Sequence, residues 1–123
     1  MAVLILGGAG FVGLNIAETL LKTGETAVVF DRRPIPDAAK RAFAVHPGEY
    51  VEVVGDATAD GLLLSALKEH KVDRMFCAAA VTAGPERDAN APRSILEVNL
   101  MAFTAALEAA RDAGLARVIN VGS

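Results

Sequence analysis

The stretch Val3-Leu4-Ile5-Leu6-Gly7-Gly8-Ala9-Gly10-Phe11-Val12-Gly13 decides the fold. Four aliphatic residues run straight into a glycine-rich turn, and an amphipathic pattern from Phe11 to Lys22 follows at once. Strand, glycine turn and helix N-terminus in immediate succession make the geometry that holds a dinucleotide pyrophosphate. Gly7 is expected to let the chain turn sharply at the end of the strand. Gly8 and Gly10 are expected to keep side chains away where backbone N–H groups meet phosphate oxygens. Gly13 is expected to let the helix pack close to the strand. The helix N-terminus adds partial positive charge, about 0.3–1 kcal/mol toward an anion at its end. The spacing satisfies G-x-G-x-x-G through Gly8, Gly10 and Gly13, and G-x-x-G-x-x-G through Gly7, Gly10 and Gly13. A merely structural βα turn is the competing reading, and the acid that closes the next strand weighs against it.

Beyond the turn, short aliphatic runs alternate with helical periodicity. Strands are predicted at Val3–Leu6, Ala27–Phe30, Tyr50–Val54, Arg74–Cys77 and Arg117–Val121. These runs are nearly continuous in apolar residues, as strands buried on both faces are. Helices are predicted over Phe11–Lys22, Pro34–Val45, Ala57–His70 and Arg93–Ala113, with Gly24 and Gly114 as helix ends. Strict alternation with short connections implies an α/β fold with a doubly wound parallel sheet of Rossmann type, in the order 3-2-1-4-5. The chain is expected to form one dinucleotide-binding domain over residues 1–123, ending after strand 5 without a substrate-binding part.

Composition narrows the function. Hydrophobic residues make up 53 % and charged residues 22 % of 123, enough for a buried core. A net charge of −3 without a basic block argues against nucleic acid and anionic membrane surfaces. No export signal or bilayer-length apolar stretch is visible, and the one cysteine, Cys77, fits a reducing cytoplasm and reads as a core thiol. No metal-ligand cluster and no Ser/His/Asp constellation is apparent. His46 and His70, in a loop and at a helix end, are expected to face solvent.

In such sheets ligands lie beyond the carboxyl ends of the strands. Asp31 follows strand 2 directly, 18 positions past Gly13. There a carboxylate accepts hydrogen bonds from adenosine ribose hydroxyls and repels a 2′-phosphate; a turn aspartate is the plainer alternative. A hydrogen bond to a charged acceptor contributes about 1.5–3 kcal/mol. Arg32 and Arg33 qualify the cofactor choice, since either guanidinium could stack on adenine or neutralise a 2′-phosphate. Because Asp31 comes first, NAD is favoured over NADP. After strand 3, Asp56 could accept the adenine amino group, and Asp60 reads as a helix cap. After strand 4, Ala78-Ala79-Ala80 are small enough for a nicotinamide ribose to lie against, although an alanine run is also ordinary core filler. The segment from Thr82 to Pro92, with Glu86, Arg87 and Asp88, lacks periodicity and is expected to be a surface loop near a substrate pocket.

Together these residues resemble the extended short-chain dehydrogenase/reductase superfamily, its NAD-dependent epimerase/dehydratase group. The resemblance rests on Gly7 to Gly13, Asp31, Gly55-Asp56, Ala78-Ala79-Ala80, Val98-Asn99 and Val118-Ile119-Asn120-Val121-Gly122-Ser123, in order and over nearly the whole chain. It implies that Phe11 and Val12 belong to the cofactor-binding turn and that Asp56 and Ala57 flank adenine. It further implies that Ala78, Ala79 and Ala80 line the diphosphate-to-nicotinamide stretch, and that Asn99 supports the active-site side of the long helix. A solvated polar group is the alternative for Asn99. Ala102 stands where the family usually has glycine, implying looser packing there. Ser123 falls on the family's catalytic Ser/Thr position, where its hydroxyl would bond a substrate oxygen during hydride transfer. The family's general acid/base is a Tyr-x-x-x-Lys pair. The only tyrosine here is Tyr50, four residues before Val54, so the pair is absent and the chain alone is expected to bind cofactor without turnover.

The resemblance therefore implies the cofactor-binding portion of an NAD-dependent epimerase, dehydratase or dehydrogenase, with a small-molecule substrate of sugar or polyol type. A stand-alone NAD-binding or redox-sensing module is the alternative. Val118–Val121 as an apolar sheet edge and a partly uncovered long helix predict self-association, as a homo-oligomer, or a complex with a missing C-terminal part.

Overall fold

Val3, Leu4, Ile5 and Leu6 are each at most 3 % exposed, which makes the first strand the centre of the molecule. The computed structural model describes residues 1–59, 61–78 and 92–120, the side chains of 92–100 excepted. In chain order the elements are β1 (Ala2–Leu6), α1 (Phe11–Lys22), β2 (Thr26–Asp31), α2 (Asp37–Phe43) and β3 (Tyr50–Val54). There follow α3 (Leu62–Glu69), β4 (Val72–Cys77), α4 (Pro92–Ala113) and β5 (Arg117–Asn120). The strands form one five-stranded sheet in the order β3-β2-β1-β4-β5, every neighbour parallel. The predicted doubly wound sheet is the fold observed.

Period-two alternation along the strands divides the core between two faces. Leu4, Leu6, Val28, Phe30, Met75 and Cys77 pack against Leu63, Ala66 and Leu67 of α3 and Ala106 and Ala110 of α4. On the other face Val3, Ile5, Ala27 and Val29 meet Ala17, Leu20 and Leu21 of α1, with Ile35 and Phe43. Burying one such aliphatic or aromatic side chain contributes about 1.5–3 kcal/mol, so the sheet is held from both sides. Burial raises the Cys77 thiol to about 11, in keeping with its place in the core.

The register puts Leu6 beside both Phe30 and Cys77, and Asp31 beside Val54, so the carboxyl ends of the central strands share one rim. The winding reverses between β1 and β4, where ligands of open α/β sheets bind.

Three sequence expectations are corrected. The third helix begins at Leu62, not Ala57, because Asp56 folds the chain around its own side chain. Its Oδ1 accepts the Thr58 N–H at 2.8 Å and the Thr58 hydroxyl at 2.7 Å, and Ala59 N–H bonds the Asp56 carbonyl at 3.0 Å. Such side-chain bonds compete with helix formation. The residue preceding the helix is Gly61, at φ 74°, while Asp60 lies outside the described residues. The second helix spans only Asp37–Phe43, since Pro36 at its N-cap holds extended backbone. Third, the histidines are half-buried rather than solvent-facing: His46 Nε2 lies 3.3 Å from Glu18 Oε2, and His70 closes α3 through its N–H to Ala66. Gly24 and Gly114 end α1 and α4 at positive φ, as expected. Among the described residues no helix is long and apolar enough to cross a membrane.

Candidate functional site: the glycine turn and the acids beside it

The β1–α1 turn is tied to β2 before anything binds it. Gly7, at φ 78°, and Gly8 both donate their N–H to the Phe30 carbonyl, at 2.8 and 3.2 Å. Ala9 N–H goes to Asp31 Oδ2 at 3.0 Å, and Gly10 N–H to the Gly7 carbonyl at 3.3 Å. The next three donors, the N–H groups of Phe11, Val12 and Gly13, have no partner among the described residues, and no side chain caps the helix. Three unpaired N–H groups thus stand at the positive end of a 12-residue helix, an arrangement that suits an anion.

The glycines of this turn differ in their work. At Gly13 a Cβ would stand 2.5 Å from the Gly7 carbonyl oxygen and from Gly8 Cα, so its absence lets α1 press against the turn as expected. At Gly10 the nearest atoms would be 3.6 Å (Gly7 O) and 3.8 Å (an Arg33 guanidinium nitrogen), which leaves space in front of the turn. Gly8 has a further role. Its missing Cβ would meet Val29 Cγ1 at 2.7 Å and the Ile5 carbonyl at 2.9 Å, so a glycine is needed here for packing as well.

Asp31 is mostly covered, its side chain 11 % exposed. Besides the Ala9 bond, its Oδ1 accepts the Arg33 N–H at 3.0 Å and lies 3.8 Å from Arg33 Nε. Asp31 therefore is a turn aspartate, and the same carboxylate also ties the end of β2 to the glycine turn. Arg32 reaches across to Asp56, Nη2 to Oδ2 at 2.7 Å, joining the ends of β2 and β3. The Thr58 hydroxyl, then the Thr58 N–H, then Arg32 lower the Asp56 carboxyl to about 2. Asp56 and Arg32, expected separately at an adenine, thus stand as a pair occupied with each other. Ala57 is half-buried against the α3 side of the core.

Ala78 is half-buried, its N–H donated to the Leu6 carbonyl at 2.8 Å. Ala79, Ala80, the segment 82–91 and Ser123 lie outside the described residues, and Asn99 is described only as part of the α4 backbone. Tyr50 packs edge-on to Phe43, ring centroids 5.4 Å apart, on the sheet edge remote from β4 and β5. Among the described residues no three His, Cys, Asp or Glu side chains gather at metal-binding distance.

Sequence reasoning missed one surface beside the turn. An open groove of about 550 Å³ is lined by Phe11, Val12, Asn15, Ile16, Thr19, Leu20 and Phe76. Phe11 is 84 % exposed. Two large apolar residues in the first turn of α1 were the available signal.

The comparisons with known proteins agree with this geometry. The profile of the NAD dependent epimerase/dehydratase family matches residues 3–123. The chain belongs to that family. It is 32 % identical over 85 residues to a decarboxylating sterol-4-alpha-carboxylate 3-dehydrogenase of Candida albicans, covering 68 % of this chain and 24 % of that one. A UDP-glucose 4-epimerase from Bifidobacterium longum, solved with NAD+ and UDP, superposes over 100 % of this chain and 37 % of its own (TM-score 0.88, 22 % identity), a likeness of fold. The Bordetella bronchiseptica enzyme WbmG, solved with NAD, superposes over 98 % of this chain and 36 % of its own (TM-score 0.74, 28 % identity). The chain therefore spans well under half the length of each.

Proposed function

We propose that residues 1–123 form the NAD-binding unit of an oxidoreductase or epimerase that moves hydride to and from a secondary-alcohol carbon of its substrate. The observation that carries this reading is the set of three unpaired N–H groups at Phe11, Val12 and Gly13, in the turn whose Ala9 amide is held by Asp31. The fit is chemical: the N–H groups suit pyrophosphate oxygens, and the Asp31 carboxylate retains acceptor positions for ribose hydroxyls. By the family resemblance, Arg32 and Asp56 are assigned to the adenine end and Ala78, Ala79 and Ala80 to the nicotinamide end. The nicotinamide, when bound, supplies the hydride acceptor. The chain's own residues bind and orient it, and Ser123 is assigned to the substrate oxygen. NAD bound to WbmG, at 28 % identity, supports the choice of cofactor.

For the substrate we favour a sugar- or polyol-type alcohol. A sterol hydroxyl is the second reading, favoured by the sequence match to the Candida albicans 3-dehydrogenase. Both need the Tyr-x-x-x-Lys pair, which these 123 residues do not contain. The test is a thermal-unfolding titration. At about 100 times its Kd, NAD stabilises a single-site binder by about 2.7 kcal/mol. Better protection by NADP, or none by either cofactor, overturns the assignment. Turnover by the purified chain that disappears in Ser123→Ala would show that the acid/base has been misplaced.

A further inference from the structure

The five residues between β2 and α2, Arg32-Arg33-Pro34-Ile35-Pro36, carry two guanidinium groups along the rim that holds Asp31 and Asp56. Pro34 and Pro36 have fixed φ and no N–H. The two amides between and before them each go to a carboxylate. Arg33 N–H bonds Asp31 Oδ1 at 3.0 Å, and Ile35 N–H bonds Glu52 Oε2 at 2.7 Å. Glu52 stands on β3, and its other oxygen lies 3.5 Å from Lys40 Nζ on α2. The Ile35 side chain is 3 % exposed and packed with Phe43, so this part of the loop cannot drift outward without leaving the core.

We infer that Glu52 is a positioning residue for the nucleotide site: through the Ile35 amide it fixes the loop that presents Arg32 and Arg33. It thereby sets the affinity for the adenosine end of a dinucleotide. This rests on the proposed reading of the glycine turn. The chain of cause is short. Without the Glu52 acceptor, the Ile35 N–H is left buried and unpaired, which is costly enough to drive the loop toward water. Movement at Ile35 passes through Pro34, whose ring leaves few backbone angles to absorb it, to Arg33 and its bond to Asp31. A ligand must then order Arg33 itself, since Arg32 keeps its Asp56 partner, and that ordering is subtracted from its affinity. Lys40 contacts only the far oxygen of Glu52, so its removal leaves the Ile35 anchor in place.

The experiment measures dissociation constants of NAD and of AMP by calorimetry on the chain and its variants, with amide exchange read at Arg33 and Ile35. Glu52→Met, similar in size and without a carboxylate, weakens both ligands about tenfold and speeds exchange at both amides. Glu52→Gln, which keeps an acceptor oxygen, and Lys40→Met both stay within about twofold of the parent chain. Leu67→Ala, destabilised on the opposite face of the sheet, also keeps the parent affinities when measured below its unfolding range. Should Glu52→Met not fold, Glu52→Asp keeps the charge, withdraws the acceptor by one methylene and carries the same expectation. Parent-like affinities in Glu52→Met, or an equal loss in Leu67→Ala, overturn the positioning role while leaving the nucleotide site intact. A parent chain that binds neither NAD nor AMP overturns the underlying reading instead.

Discussion

Gly10 and Gly13 stand three residues apart in one turn, yet alanine should act on them in opposite ways. At Gly13 the new Cβ would stand 2.5 Å from Gly7 O and Gly8 Cα and 2.9 Å from Gly8 C, all backbone atoms that cannot rotate aside. The start of α1 must retreat by about 1 Å, and overpacking of this kind costs about 1–3 kcal/mol. Unfolding entropy of about 2.1 cal/mol/K per residue converts 3 kcal/mol into a fall in Tm of about 12 °C for a chain of this length. At Gly10 the nearest atoms are 3.6 Å or more away, and φ −81° with ψ 173° suits alanine. The lost N-cap preference and the stiffer unfolded chain roughly cancel, leaving Tm within about 2 °C. The new methyl would occupy the space through which phosphate reaches the Phe11, Val12 and Gly13 amides. Gly10→Ala should therefore keep its fold and lose the NAD-induced rise in Tm, whereas Gly13→Ala should lose stability first. Differential scanning of both variants with and without saturating NAD decides the matter. A Gly10→Ala chain protected by NAD as well as the parent would show that the phosphate does not sit on this turn.

Two further outcomes follow from the acids. Asp31→Ala removes the acceptor for two backbone N–H groups as well as a ribose partner, so unfolding free energy should fall by about 2–3 kcal/mol. In the same variant the Kd ratio of NADP to NAD should fall toward one, read by titration of both cofactors. Asp56 is held at about 2, below the ordinary 3.8, by Thr58 and then Arg32. Its contribution is therefore full above about pH 4 and is lost as pH falls through about 2. Acid unfolding curves of the parent and Asp56→Asn should converge across that window, by a small amount that salt reduces, because Asp56 and Arg32 are exposed. Curves that stay parallel down to pH 2 would remove Asp56 from the acid balance.

What was legible in the sequence was whatever local sterics dictate. The glycine turn, the two long helices with their glycine ends, and the five aliphatic strands follow from periodicity and from residues with a single permitted conformation. The start of α3 was not legible, because it turns on whether the Asp56 side chain or the helix captures the Thr58 amide. Tertiary pairs were beyond reach for another reason. Arg32 with Asp56, Ile35 with Glu52 and Glu18 with His46 join residues 24, 17 and 28 apart, and nothing in the intervening chain marks them as partners. Gly8 shows the limit within the motif itself. One reason for it was out of sight, since the clash it avoids lies with Val29 on the neighbouring strand.

Asp31 links the fold of the glycine turn to the proposed cofactor choice. A carboxylate offers about four acceptor positions. Two are used by the Ala9 and Arg33 amides, at 3.0 Å each, which ties the glycine turn to the end of β2. Two positions remain, matching in number the two free hydroxyls of an adenosine ribose. The Arg33 guanidinium, 3.8 Å from the same carboxylate, offsets part of its negative charge. A 2′-phosphate arriving here would therefore meet less repulsion than from an isolated aspartate, and would find a guanidinium within reach. On the proposed reading, a preference for NAD would rest on the 2′-hydroxyl hydrogen bond that NADP cannot make, about 1.5–3 kcal/mol, more than on charge exclusion. The expected selectivity is then roughly tenfold to a hundredfold, and Arg33→Ala should raise it, read as the ratio of the two Kd values by calorimetry; an unchanged ratio would refute the offset by Arg33.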